Sequence, residues 1–403
     1  MNRRTVRNIV LIWLAWSVII IGFMNFAPLR YAPSRSDDAL MWTANETRRD
    51  SNDGKPYLLD PFLNTQVAWD SEFYLSIATL GYEDPDIRTI EDDDGGVYSL
   101  SYAFFPLYPF AMKVVRLPFT LLPITPIAAS TIAGLIISLL GTLAAMIALY
   151  DIVRGELGDE GGIRAGFMML IFPTSFFFAV VYTEGMFVGL AFCSLALMRR
   201  RQLVAAAVLA ALATGTRAVG GVLIVPLLLA WWQMYRAAPV KRDAWLRLPL
   251  LALPLIAYAL WRSAYGVPFD SVEETLFGNG VLELHKTVEA WRQILERART
   301  VPETMTIVVM TVSAIILAFV SCALAFRRYP HLALFGLLAL LIPLTGGWTG
   351  TQSSLRYVLV VPTLWIVLAR WGRNIVFDRA WTLFSILLLG MQAFLFSYDF
   401  WVA

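Results

Sequence analysis

Residues 8–27, Asn8-Ile9-Val10-Leu11-Ile12-Trp13-Leu14-Ala15-Trp16-Ser17-Val18-Ile19-Ile20-Ile21-Gly22-Phe23-Met24-Asn25-Phe26-Ala27, follow Arg3, Arg4 and Arg7 directly. At about 1.5 Å of rise per residue this run crosses a hydrocarbon core of ~30 Å, whereas the core of a cleaved signal peptide is roughly 7–15 residues long. The reading is an uncleaved first membrane helix with its amino terminus in the cytoplasm. The rest of the chain has the same character. Of its 403 residues 58% are hydrophobic, 13% aromatic and only 15% charged, which excludes a soluble enzyme and a nucleic-acid-binding protein and marks an all-α, polytopic membrane protein.

Further apolar runs lie at about 128–150, 164–180, 183–198, 202–216, 218–235, 247–265, 302–326, 331–346, 356–371 and 380–398, which with the first helix gives about 11 spans. Basic clusters at Arg199-Arg200-Arg201, Arg236 to Arg247, Arg327-Arg328 and Arg370 to Arg379 belong in the cytoplasm. Parity then decides residues 104–122. If that stretch crossed, every later basic cluster would fall outside, so it is read as interfacial or re-entrant, in keeping with Pro106, Pro109 and Pro118. The loop at 151–163 is the misfit, because it is acidic where bases are expected.

Charge is partitioned as well. Residues 28–103 hold 15 acids and 6 bases, a net of −9 in a chain whose formal total is +2, so the remainder carries +11. This stretch is the first extracytoplasmic loop, and 266–300 is the second. In the second, Leu284, Val288, Trp291 and Leu295 form one apolar stripe at helical spacing, the pattern of a helix lying on the membrane surface. Residues 61–82 repeat the pattern with Trp69, Phe73, Ile77 and Leu80, holding Asp70 at headgroup height. No internal repeat or linker divides residues 1–403, which read as a single membrane domain.

Four charges on the expected outer face could carry chemistry. Asp70 sits between aromatics in Ala68-Trp69-Asp70-Ser71-Glu72-Phe73-Tyr74; as an ordinary loop acid it would simply face water. Glu184 and Arg217 are single charges flanked by mostly apolar sequence, and Arg356 with Tyr357 opens a later apolar run. A charge at mid-helix costs ~2.5–3.5 kcal/mol on insertion scales, so such residues face a cavity or partner, or else sit in a tight interfacial turn. Two guanidinium forks with one or two carboxylates suit transfer away from a phosphate leaving group. The carboxylate takes a proton from an attacking hydroxyl and the arginines hold the departing charge.

Other candidates give less. Cys193 and Cys322 lie in apolar runs and read as small hydrophobes. His285 and His331 fall on opposite faces, so no zinc pair follows. The run Glu91-Asp92-Asp93-Asp94-Gly95-Gly96 lacks the alternating spacing of a cation-binding loop and reads as a solvated turn, and no other pattern supports a divalent metal or a cofactor. Asn45-Glu46-Thr47 is a glycosylation triplet only in a host with that machinery. There is no phosphate-binding glycine loop, no dinucleotide fingerprint and no Ser/His nucleophile arrangement.

An ordered set of segments resembles the PIG-V-type mannosyltransferases. It comprises Trp69-Asp70-Ser71-Glu72-Phe73-Tyr74 with Gly81-Tyr82, Phe104-Phe105-Pro106-Leu107-Tyr108-Pro109, Phe172-Pro173 through Tyr182-Thr183-Glu184, Thr216-Arg217 and Leu355-Arg356-Tyr357. The resemblance runs from about residue 8 to 371. It implies a GT-C-type transmembrane helix bundle with a large first extracytoplasmic loop bearing interfacial helices, and a polyprenyl- or dolichyl-phosphate sugar as donor. It further implies a catalytic carboxylate at Asp70, with Glu184, Arg217 and Arg356 at other polar motif positions.

On this reading Asp70 is general base in an inverting transfer of a sugar, with mannose expected, to an acceptor hydroxyl on a glycolipid, glycan or protein. Arg217 and Arg356 bind phosphate, and Glu184 orients the acceptor or a loop. Trp69, Tyr108 and Tyr182 are candidates for the mouth of the lipid groove or for sugar stacking. The expected setting is a multi-pass protein of a prokaryotic plasma membrane, in contact with membrane lipids, with the active site outside. Two other readings stay open: a transporter or flippase of lipid-linked sugars, and a non-catalytic assembly subunit on the same fold.

Overall fold

A computed structural model describes residues 3–30, 65–237 and 245–402, apart from positions 86, 93, 246, 279, 281, 348–352 and 399. The glycosylation triplet, the insert from Ser34 to Leu63 and Asp93 lie outside the described residues. In chain order the α-helices are α1 Arg3–Arg30, α2 Asp70–Thr79, α3 Leu107–Val115, α4 Pro126–Leu170, α5 Glu184–Arg199, α6 Leu203–Thr216, α7 Ile224–Ala237 and α8 Leu253–Phe277. They continue with α9 Leu284–Ala298, α10 Pro302–Ala325, α11 Pro330–Leu344, α12 Ser354–Tyr357, α13 Pro362–Trp371 and α14 Ile375–Ser397. The chain is an all-α polytopic membrane protein. Side chains such as Val18 and Ile19 on α1, Val309 and Ile316 on α10, and Leu383 and Leu387 on α14 stay exposed, as lipid contact requires.

Every apolar run falls wholly or partly on helical segments. By length and composition six described helices can cross a bilayer, or seven if the bent pair Ser354–Val360 and Pro362–Trp371 counts as one. Other runs lie on shorter helices such as Leu203–Thr216 and Pro330–Leu344.

The acidic misfit at 151–163 has a physical explanation. Within α4, Gly158 takes φ 70° and ψ −176°, and the chain reverses there. A β-carbon on Gly162 would lie 2.6 Å from the Tyr150 ring and one on Gly166 3.2 Å from Met146. In a straight helix residues twelve apart are about 18 Å distant. The acids at this hairpin tip then meet the basic clusters. Asp151 accepts from Arg200 at 2.8 Å, and Glu156 takes Arg328 at 2.8 Å, Arg370 at 2.9 Å and the Tyr329 hydroxyl at 2.7 Å. Arg164 stands 3.7 Å from Asp378. The acids are counter-ions gathered on the same face as the bases, a pairing between distant segments that local charge counting does not reveal.

Two further expectations change. The helix read at 61–82 begins only at Asp70 among the described residues, and three of its four stripe residues, Trp69, Phe73 and Ile77, are buried, with only Leu80, just past its end, exposed. Phe73 stacks on Phe104 at 4.6 Å and Tyr74 meets the same ring edge-on at 5.2 Å. The second loop is partly helix as well, since α8 runs on to Phe277 across a break at Tyr265. The stripe on α9 behaves as its spacing implies: Leu284, Val288 and Leu295 are exposed while Thr287, Ala290 and Ala298 pack inward.

The first loop also holds one small hairpin, β1 Thr89–Glu91 antiparallel to β2 Val97–Ser99. Its turn contains the acidic run. The Asp92 carboxylate accepts the Gly96 amide at 2.6 Å and the Asp94 amide at 3.1 Å, and Gly95 supplies φ 81°.

The core is built on α4, α5 and α13, where Trp365, Tyr150, Phe187 and Phe192 are fully buried. Small residues set the closest approach. A β-carbon on Gly185 would overlap the Ser138 carbonyl, and Gly189 lies as tightly on Gly141. This small-residue seam draws the first turn of α5 against α4.

Candidate active site

Each candidate charge sits where a helix starts or stops. Asp70 and Glu184 are the first residues of α2 and α5, where the positive end of the helix dipole favours an anion. Arg217 follows the last residue of α6 with extended φ −156° and ψ 136°, at the negative end that favours a cation. Arg356 lies in the short α12. The chain bends by 79° between α12 and α13. Pro362 opens α13 without an amide donor, and the Thr174 hydroxyl holds the Leu355 carbonyl at 3.2 Å.

These ends converge. Arg356 Nη1 donates to Asp70 Oδ2 at 2.6 Å. Its Nε stands 3.3 Å from Glu184 Oε1, close enough for an ion pair but without hydrogen-bond alignment. Arg217 Nη1 donates to the same Glu184 oxygen and lies 3.5 Å from the Thr183 hydroxyl. The side chains of Glu184 and Arg356 are 1% and 9% exposed, whereas Asp70 keeps 21%. Two carboxylates and two guanidiniums are thus held together largely away from water. Such a cluster contributes little net stability, because desolvation offsets the Coulomb attraction. Glu184 Oε2 and Arg356 Nε have no hydrogen-bond partner among the described residues.

Aromatic rings frame the charges. The Arg356 guanidinium carbon lies 5.3 Å from the Tyr182 ring centroid and 5.7 Å from that of Phe177, and Arg217 lies 5.4 Å from Tyr357. Burial first, and then the negative charges of Asp70 and Glu184, push the Tyr74 hydroxyl well above the usual phenol range.

Asp70, Arg217, Arg356 and Tyr357 line one cavity of about 620 Å³, a size that suits a small ligand. Glu184 lies behind its wall. Trp69 and Tyr182 are 4% and 2% exposed and Tyr108 is fully buried, so these three support the site from behind rather than forming a mouth. The Tyr108 hydroxyl is bonded to the Gly134 carbonyl at 3.0 Å, and that of Tyr182 to the Ala68 carbonyl at 3.2 Å. Ser138 donates to the Tyr182 carbonyl at 2.8 Å, joining the packing seam to the turn that carries Glu184.

Sequence reasoning missed the opposite wall, formed by Tyr258, Arg262, Phe269, Asp270, Glu273 and Glu274 of α8. Arg262 and Asp270 form a two-pronged ion pair, with Nη2 to Oδ2 at 2.6 Å. Pro268, a residue that ordinarily ends a helix, hides the continuation of α8 through 266–277. Nothing local marks Trp401, which lines the cavity from the far end of the chain. Among the described residues no three His, Cys, Asp or Glu side chains gather as a metal site.

Residues 45–256, just over half of the chain, match the family model described as mannosyltransferase (PIG-V). The chain belongs to this family. The PIG-V match includes Asp70, Glu184 and Arg217 and stops before Arg356. Among its described residues this PIG-V-family protein has six helices, or seven counting the bent pair, long and apolar enough to cross a bilayer. No curated protein shows significant sequence similarity to it.

Among solved structures, the Archaeoglobus fulgidus oligosaccharyltransferase in complex with Zn and sulfate aligns with TM-score 0.46 and 14% identity, over 95% of this chain and 53% of that one. The PIG-V-family chain therefore spans about half the length of that enzyme. ArnT from Cupriavidus metallidurans, bound to undecaprenyl phosphate, aligns with TM-score 0.45 and 13% identity, over 97% of this chain and 76% of that one. Likenesses this distant fix neither substrate nor mechanism.

Proposed function

We propose that the protein transfers mannose from a polyprenyl-phosphate donor to an acceptor hydroxyl, with inversion at the anomeric carbon and Asp70 as general base. The observation that carries this reading is the Asp70–Arg356 contact at 2.6 Å, both residues lining one cavity with Arg217. Arg356 occupies Asp70 Oδ2, which leaves Oδ1 to accept a proton. The acceptor oxygen attacks the anomeric carbon as its proton passes to Asp70. The anomeric C–O bond breaks and its electron pair leaves on the phosphate oxygen. A single displacement inverts the centre.

Arg217 and Arg356 face the growing phosphate charge with the N–H groups not committed to Glu184 and Asp70. Placed in advance in a poorly solvated site, they stabilise the transition state more than they would in water. Glu184 binds both arginines through one oxygen and holds the pair in place. Ala339, Ile342, Pro343 and Val360 make part of the cavity apolar, which suits the first isoprene units of the lipid. A glycolipid, glycan or protein hydroxyl serves as acceptor.

The setting follows from two ends of the bundle. Glu184 opens α5 at the site and Arg199 closes it, 16 residues and about 24 Å away, next to the basic clusters. With those bases cytoplasmic, the site faces outward in a plasma membrane of prokaryotic type. Incubating the purified protein with polyprenyl-phosphate mannose and a hydroxyl acceptor tests the reaction. Release of free polyprenyl phosphate with sugar on the acceptor is expected. Donor that binds and crosses the bilayer intact would overturn it.

A further inference from the structure

We propose that Trp401, in the segment after α14, is a positioning residue for Asp70. The inference rests on the reading of Asp70 as the base. It starts from the backbone of Trp69, the residue immediately before Asp70, which adopts φ 55° and ψ −119°. A tryptophan keeps that left-handed region only where its surroundings over-determine it, and such strain concentrates at functional sites. Asp70 is the first residue of α2, so rotation about the Trp69 backbone swings its carboxylate relative to Arg356.

The surroundings that hold Trp69 come from two sides. The carbonyl of Ala68 is fixed by the Tyr182 hydroxyl at 3.2 Å. The Trp69 ring meets the ring of Trp401 edge to face, with centroids 4.8 Å apart and planes at 81°. Trp401 is itself held in place. The Phe400 amide donates to the Leu395 carbonyl at 3.1 Å, the buried Gln392 side chain donates to the Val402 carbonyl at 3.2 Å, and Val402 is 3% exposed. The segment is thus folded back on α14 and presents Trp401 to the cavity shared by Asp70 and Arg356. A ring on a segment 332 positions away along the chain therefore supports the strained residue that aims the base. Trp401 lies outside the residues that match the family model.

The test compares D70N, W401A, W401L, W401F, W69A and the W69A/W401A double variant in detergent, each confirmed as folded by gel filtration and near-ultraviolet circular dichroism. Trp401→Ala and Trp401→Leu should lower kcat by about 10–100-fold with donor KM within about threefold of the parent, because misplacement of the base costs rate rather than binding. Trp401→Phe restores an aromatic against Trp69 and should recover most of that loss. The double variant should be no slower than the slower single variant, since both changes remove one contact. If D70N is inactive while folded W401A and W401L turn over at the parental kcat, the positioning role is wrong and the reading of Asp70 stands. Multiplying losses in the double variant would place Trp401 on the substrate independently and also overturn it. Near-parental turnover of D70N removes the reading of Asp70 and this proposal with it.

Discussion

Arg356 Nη1 and Asp70 Oδ2 are 2.6 Å apart although 286 residues separate them in sequence. The pair joins the first loop to the bent helix pair near the other end of the chain. Its partner carboxylate, Glu184, lies 3.3 Å from Arg356 Nε. One guanidinium therefore serves two acids, and its planar fork is the reason Arg rather than Lys suits the position.

Replacing Arg356 by Lys keeps one positive charge but only one point of contact. We expect kcat to fall by about 10²–10³-fold, comparable to losing an oxyanion-stabilising donor, with the protein still folded. Arg356→Ala leaves two carboxylates poorly solvated and should destabilise by about 3–5 kcal/mol. Steady-state kinetics and thermal unfolding in detergent separate the two effects.

Glu184→Gln removes the negative charge that Arg217 and Arg356 share. The cluster then carries one more net positive charge. Donor and the polyprenyl phosphate product should bind more tightly while kcat falls, because the arginines lose their holder. Product inhibition constants measured beside kcat check both directions, and a weakened product affinity would contradict the assignment of the arginines to phosphate.

The Tyr74 hydroxyl has its pKa raised by burial and by Asp70 and Glu184, so it stays protonated through neutral and mildly alkaline pH. A phenol raised in the folded state contributes stability that is complete below its unfolded pKa and is lost progressively as pH rises from there through the folded value. Tyr74→Phe should therefore leave the alkaline limb of the pH–rate profile where it is. A shift of that limb would make Tyr74 a titrating member of the site.

The membrane character and most of the apolar helices were readable from the sequence, because apolar runs are local signals, and the four isolated charges singled out there meet in the structure. The hairpin tip at 151–163 was not, since its acids are explained only by Arg200, Arg328 and Arg370, which arrive from three distant segments. Nor was the α8 wall. Hydropathy falls after Tyr265 and suggests a loop, yet the helix resumes through Pro268 and brings Asp270 against Arg262 at the cavity. Trp69, Tyr108 and Tyr182 have the composition of a sugar platform, but their depth depends on tertiary packing, with Trp401 on Trp69, Gly134 of α4 on Tyr108 and Phe396 on Tyr182.

At the basic face, Glu156 binds Tyr329, Arg328 and Arg370 together. Glu156→Gln should lower stability by about 1–3 kcal/mol, seen as a lower unfolding temperature, while turnover per folded molecule is unchanged. A selective loss of turnover would connect this face to the site.

The packing seam predicts a steric effect. A side chain at Gly185 would strike the Ser138 backbone, so Gly185→Val should cost about 1–3 kcal/mol or more and displace Glu184 with the first turn of α5. Unfolding temperature and activity should fall together.

If Asp70 removes the acceptor proton, Asp70→Asn turned over on polyprenyl-phosphate mannose should be a folded, membrane-inserted protein that still binds donor but releases polyprenyl phosphate about 10²–10⁴-fold more slowly. Release at close to the parental rate would contradict that role.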